Sequence, residues 1–405
     1  MSENVPKVRF DGFSGAWKSN KLQNLAKFFK GSGYTKQDIV KSGTPIIFYG
    51  RLYTKYETII SKVDTFVDLR NNSVVSEGDE VIVPSSGESA EDIARASFVK
   101  MPGIILGGDL NIIKPSASVS PSFLALTISN GNQKKELAKK AQGKSIVHLH
   151  NSDLKEVILT YPPIEEQQKI GDFFKQLDDT IALHQKLVEQ QQQYKKAMLQ
   201  KMFPQKGERV PKIRFEGFTG AWEIRKFKDF ISKAGKKNSS GKDYVSYSVS
   251  NKLGLVRQGE QFEGRRLDDL DKTAYKLVNP NEFAYNPARI NVGSIGFNNL
   301  GSTVIVSSLY VVLKMSDKIN NEYILQFIKS ANFIKEVQKN TEGSVREYLF
   351  YENFKNIRFP YPSNYEEQQK IGSFFKKLDD TIALHQKKLE DYQQLKKALL
   401  KRMFV

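Results

Sequence analysis

EEQQKIGDFFKQLDDTIALHQK, which opens the stretch Glu165–Phe203, returns at Glu366–Phe404 as EEQQKIGSFFKKLDDTIALHQK. About three-quarters of the two stretches is identical. A repeat this long and this widely spaced marks two halves of one chain rather than a stack of small units. Ile170, Phe174, Leu177, Ile181 and His184 recur at steps of four and three, as do Ile371, Phe375, Leu378, Ile382 and His385. The spacing continues to Met202 and Met403 through Lys195 and Lys396, which predicts two long helices with a coiled-coil seam, each the partner of the other. Pro162, Pro163 and Pro362 lie just upstream, where a helix start tolerates them. Glu165-Glu166 and Glu366-Glu367 fall in the first turn and suit the helix macrodipole. His184 and His385 read as buried polar residues that set the register. Adjacent helical side chains diverge, so Asp178-Asp179 and Asp379-Asp380 read as solvated pairs.

A second phrase also repeats. Val5–Trp17 is VPKVRFDGFSGAW and Val210–Trp222 is VPKIRFEGFTGAW. Each half therefore opens with this basic, aromatic arm and closes with the long helix. The expected division is residues 1–161 for a first globular domain with its arm and 162–204 for the central helix. Residues 205–361 then form a second domain and 362–405 the last helix. Between the constant parts the two halves differ. Glu80–Pro84, Gly103–Leu106, Tyr244–Val249 and Ser302–Lys314 read as strands. Glu136–Ala141, Ser152–Val157 and Asn320–Gln338 read as helices. The class is α+β: two globular domains of short strands and helices, separated by an antiparallel helix pair and related by a pseudo-two-fold axis.

The chain carries 62 Lys+Arg against 45 Asp+Glu, a formal charge of +17, with 17 Tyr and 26 Phe. That balance points to an anionic partner, nucleic acid first. With no cysteine, disulfides and thiolate metal sites are excluded. No apolar signal core opens the sequence and no run of about eighteen apolar residues interrupts it, so a cytoplasmic protein without membrane attachment is expected.

A catalytic centre is hard to find. Gly143-Lys144-Ser145 lacks the upstream glycine of a phosphate loop. Asn286-Pro287-Ala288-Arg289 only superficially resembles a methyltransferase signature, with no cofactor loop beside it. Asp153-Leu154-Lys155 lacks supporting acids. His148 and His150 could share a metal from one strand face, but surface histidines are the expected reading. No cofactor and no metal are expected in this chain.

The binding signals lie in the variable domains. Tyr49, Arg51 and Lys55 interleave rings with cations in FYGRLYTKY. Ser85 and Ser86 sit in PSSGE, Asn111 and Lys114 in GGDLNIIK. The second domain offers Arg265 and Arg266, then Tyr285, Asn286, Arg289 and Asn291 in YNPARINVG. Cations neutralise phosphates, and Arg and Asn are the favoured readers of guanine and adenine.

The EEQQKIG helix starts, the LDDTIALHQ continuations and the RFxGFxGAW arms resemble the specificity subunit of a Type I restriction-modification system across essentially the whole chain. YNPARINVGSIG and PSSGESAEDI look like segments of that family's target-recognition domains. The resemblance implies a non-catalytic reader of double-stranded DNA in a bacterial cytoplasm, each domain taking one half of a bipartite, asymmetric target. The helices would set the spacer and dock two modification subunits. Those partners would hold S-adenosylmethionine and methylate adenine, and restriction subunits would bring ATP, Mg and cleavage. The alternative is a stand-alone basic architectural or RNA-binding protein.

Overall fold

In the computed structural model, residues 4–143, 146–251, 254–258, 272–341 and 348–404 are described. The expected helices run from Ile164 to Met202 and from Tyr365 to Met403. They are not separate domains. The chain forms two compact units, one of residues 1–185 with 386–405 and the other of residues 186–385. Each long helix is therefore shared, its first part belonging to the domain before it and its last part to the other unit.

In the first unit the central strand Glu80–Pro84 is buried at every residue. Both faces of the run EVIVP are covered: Val81 and Val83 pack in one core with Phe123 and Leu126, and Ile82 in another with Ile47 and Leu106. It pairs antiparallel with Leu110–Pro115 and Ser97–Val99; Ala26–Lys30 lies outside the former, and Ile59–Ile60 runs parallel to the latter. The helix Pro121–Asn130, buried at every residue from Phe123 to Ser129, packs beneath. A second sheet orders Ile105–Leu106, Thr44–Ile47, Phe66–Val67 and Ile39–Val40.

The second unit repeats this plan. Ile231–Lys233, Val311–Met315, Glu282–Tyr285 and Ile295–Phe297 form an antiparallel sheet in that order, and Glu282–Tyr285 is again fully buried. Glu80 and Glu282 hold the turns that enter the two central strands. Glu80 accepts from the Glu77 N–H at 2.7 Å, and Glu282 from the Asn279 N–H at 2.8 Å. Such bonds compensate the burial of each carboxylate. Gly254–Arg257, Ser246–Ser250, Val304–Val306 and Lys276–Val278 form the other sheet.

Several sequence expectations are refined. Glu80–Pro84 is a strand over its full predicted length, whereas Ser302–Lys314 is two strands, Val304–Val306 and Val311–Met315, joined by a turn. Asn320–Gln338 divides into Asn321–Ile328 and Ala331–Asn340, because Ser330 caps the second helix by accepting from the Phe333 N–H.

The two repeated phrases meet in each unit. Arg9 donates to both carboxylate oxygens of Glu166, and Arg214 does the same with Glu367. The next residue secures the helix start. Gln167 accepts from the Ser120 N–H at 2.9 Å and donates to the Ser118 and Pro162 carbonyls; Gln368 makes the equivalent bonds with Asn320, Lys318 and Pro362. The first-turn acids thus have a larger task than the macrodipole: Glu166 and Glu367 anchor the arms. Farther along the arms, Phe13 and Phe218 lie under the Lys169 and Lys370 ammonium groups, each at 5.0 Å. The Val8 N–H donates to the Arg402 carbonyl and the Ile213 N–H to that of Lys201, so each arm also satisfies a terminal carbonyl of a long helix.

The helix pairs are antiparallel in both units. In the first, Phe174 lies 6.1 Å from Phe404, Asp178 pairs with Lys396, and His184 stacks on Tyr392 at 5.5 Å. In the second, Phe375 lies 6.3 Å from Phe203 and Asp379 meets Lys195 at 2.5 Å. This corrects the solvated reading of Asp178 and Asp379. Only Asp179 and Asp380 face outward, each beside the lysine four residues earlier. The early seam residues Ile170, Phe174 and Leu177, and likewise Ile371 and Phe375, are buried in the globular cores as well as between helices. Ile181, Leu378 and Ile382 are half-buried.

Candidate nucleic-acid interface

The two central strands end in equivalent loops. Beyond Pro84, the Ser85 carbonyl accepts from the Leu149 N–H at 3.1 Å; beyond Tyr285, the Pro287 carbonyl accepts from the Leu349 N–H at 3.0 Å. Leu149 and Leu349 are buried, and each is flanked by two rings: His148 and His150 in the first unit, Tyr348 and Phe350 in the second. The same edge of both domains thus carries a loop and a ring pair. Sequence reading found the loops, and it noted His148 and His150 on one strand face as surface histidines, but it did not single out Tyr348 and Phe350.

In the first unit, Tyr53 donates to the Ser86 carbonyl at 2.9 Å, and burial pushes its phenol up to about 12. Tyr49 packs edge-on to Tyr53 at 6.3 Å. The Arg95 guanidinium lies over both Tyr53 and Tyr56, tied by a bond to the Leu52 carbonyl. Ser86 and His148 pair as residues of a short antiparallel ladder, with Oγ 3.3 Å from Nδ1. Tyr49, Ser86 and Lys55 keep accessible side chains, although Lys55 leans on Asp64 at 3.1 Å.

In the second unit the Asn286 side chain accepts from the Ala288 N–H at 3.0 Å, an Asx turn that shapes the loop. Arg289 is exposed and makes no ion pair among the described residues, and Asn291 is half-buried beside it. Gly293 closes the loop with φ +87°, a left-handed conformation that suits glycine.

Other sequence candidates sit elsewhere or have other work. The Arg51 side chain is only 10% exposed, binding Glu57 at 2.6 Å, Asp64 at 3.1 Å and the Lys62 carbonyl at 2.9 Å. It is a strut of the Arg51–Thr54 turn rather than a free cation. Asn111 is fully buried and donates to the Leu149 and Pro84 carbonyls at 2.8 and 3.4 Å, which makes it a brace behind the loop. Ser85 is buried and contributes backbone atoms. Lys114 is held by Glu77, whose hydrogen bond raises the pKa of its amine. Tyr285 lies in the core against Phe354, its phenol pushed up by burial. Arg265 and Arg266, like Lys144 and Ser145, lie outside the described residues. No group of three or more His, Cys, Asp or Glu side chains suited to a metal occurs among the described residues, and none of their helices is long and apolar enough to cross a membrane.

Two domains of one plan, each ending its buried central strand in a different polar loop, define a class of paired recognition modules. Residues 15–191 and 220–393 each match the Type I restriction modification DNA specificity domain, and the chain belongs to that family. It is 22% identical to the type I restriction enzyme MjaVIII specificity subunit of Methanocaldococcus jannaschii, over 95% of this chain and 91% of that one. It is also 22% identical to the putative MjaX specificity subunit of the same organism, over 98% and 95%. The crystal structure of the type I restriction-modification S subunit from M. genitalium aligns over 99% of both chains, with TM-score 0.67 and 15% identity, and so shares the fold.

Proposed function

We propose that this chain reads a bipartite, asymmetric double-stranded DNA target for a type I restriction-modification complex. Each unit takes one half through its strand-exit loop. The observation that carries this is the equivalence of Ser85 and Pro287: the same carbonyl holds the same buried leucine, while the exposed residues around it differ entirely. One scaffold with two dissimilar faces suits two different short sequences, and base-edge contacts supply such discrimination. Arg289 and Asn291 in one loop, and Tyr49 and Ser86 beside the other, are the contacts we assign. The long helices set the distance between half-sites and dock two modification subunits. Those partners carry S-adenosylmethionine and adenine methylation, and restriction subunits add ATP-driven translocation and cleavage. A basic architectural or RNA-binding protein would have no use for two unlike readers.

Co-expression with a type I modification subunit, followed by mapping of methylated adenines, tests the proposal. The expected result is one asymmetric motif, two short specific parts around a fixed unspecified gap. Failure to form any complex with a modification subunit would overturn it.

A further inference from the structure

The rings beside the two loops form matched pairs. His148 and His150 lie 6.4 Å apart with planes within 6°, and Tyr348 and Phe350 lie 5.6 Å apart with planes within 5°. Extended backbone puts residues two apart on one face, and the leucine between them enters the core in both units. The N–H of that leucine bonds to the loop carbonyl, so loop and rings are held as one piece. The core gains little from these rings: Phe350 is 46% exposed, and both histidines face solvent.

Their chemistry suits a polyanion edge. Imidazole N–H groups donate to phosphate oxygens, as does the Tyr348 hydroxyl, and the Phe350 ring offers an apolar face to a deoxyribose. Phosphate and sugar contacts fix the register of a protein on a duplex without reading sequence. We infer that the two ring pairs are backbone clamps, seating each loop on its half-site: His148–His150 by donation to phosphate, Tyr348–Phe350 by one hydroxyl and sugar packing. The inference rests on the DNA reading proposed above.

The test uses the full chain and a pool of random-sequence duplexes. His148→Ala/His150→Ala and Tyr348→Ala/Phe350→Ala should each bind every duplex about tenfold more weakly, as expected for losing one or two hydrogen bonds to a charged group, with the recovered sequence preference unchanged. His148→Gln/His150→Gln, which keeps donors, and Tyr348→Phe/Phe350→Leu, which loses the hydroxyl but keeps apolar packing, should fold as wild type and recover part of the affinity. Variants that bind like wild type overturn the clamp alone, and so does relaxed preference in one half-site, since the rings would then be reading bases. A wild-type chain that retains no duplex overturns the DNA reading together with the clamp.

Discussion

The guanidinium of Arg9 donates through Nε and Nη2 to the two carboxylate oxygens of Glu166, both at 2.7 Å, and a third bond runs from Nη1 to the Gly15 carbonyl at 2.5 Å. Arg214 repeats the arrangement with Glu367 at 2.7 and 2.8 Å and with the Gly220 carbonyl at 2.6 Å. This clasp explains why the arm and the helix start repeat together: each phrase contains one half of the other's ion pair. Bidentate geometry and burial make the pair strong, and breaking one side leaves the other charge stranded. Arg9→Ala should therefore destabilise the first unit by about 3 kcal/mol, and Arg214→Ala the second by a similar amount. Arg9→Lys should recover little, because an ammonium cannot span both oxygens. Denaturant unfolding measures each loss; equal stability of Arg9→Lys and wild type would refute the bidentate argument.

Gly171 and Gly372 occupy the same helical position for related reasons with different remedies. A Cβ on Gly171 would lie 2.1 Å from the Ser122 Oγ and 3.0 Å from its Cβ. On Gly372 it would lie 2.7 Å from the Tyr323 backbone nitrogen and 2.8 Å from both the Asn320 Oδ1 and the Glu322 Cβ. Both Gly→Ala variants should lose about 1–3 kcal/mol, the usual range for overpacking. Adding Ser122→Gly should rescue Gly171→Ala, since side-chain atoms cause that clash. No single side-chain truncation should rescue Gly372→Ala, where backbone stands in the way. Thermal melts of these variants decide this.

Arg51 and Arg289 look alike in sequence but should behave oppositely. Arg51→Ala removes a nearly buried cation with two carboxylate partners, and it should lower the melting temperature without relaxing any base preference. Arg289→Ala should leave stability within about 0.5 kcal/mol and relax one position of the target by about 1–3 kcal/mol. Methylation motifs and melting curves of the two variants separate these outcomes.

Lys329 is a charged residue at odds with its setting. Burial lowers its pKa below the ordinary 10.5, opposed by nearby Asp379, which already receives Lys195 and the Gln326 amide. The folded state thus holds this proton less tightly than the unfolded chain, so wild-type stability should rise as pH climbs through the lowered pKa toward 10.5. Lys329→Met lacks that dependence. It should melt higher than wild type at pH 7, with the difference shrinking toward pH 10; a gap that widens on alkalinisation would contradict the assignment.

The legible features were those written in short range or in repetition. Val81–Pro84 is an apolar run led by Glu80 and became a buried strand; the four-three spacing from Ile170 onward became a helix to Met202. Ser302–Lys314 was harder, because only the short polar pair Ser307-Ser308 interrupts the apolar residues where the chain turns. Among the site residues, the loop at Tyr285–Gly293 was found through its glycine, proline and arginine. Asn111 and Tyr285 were mistaken for surface groups because alternation along a strand does not reveal which face is covered.

By itself the sequence determined the periods, the two repeated phrases and the excess of positive charge, since each depends on residue order alone. Tertiary structure alone decided the partners. Glu166 finds Arg9 across 157 residues, and Asp178 finds Lys396 across 218. Such pairs form only when the sheets and helices close into a core and exclude water, which strengthens ionic contacts and leaves few geometries that satisfy them. The same closure turned Arg51 into a strut and left Arg289 exposed.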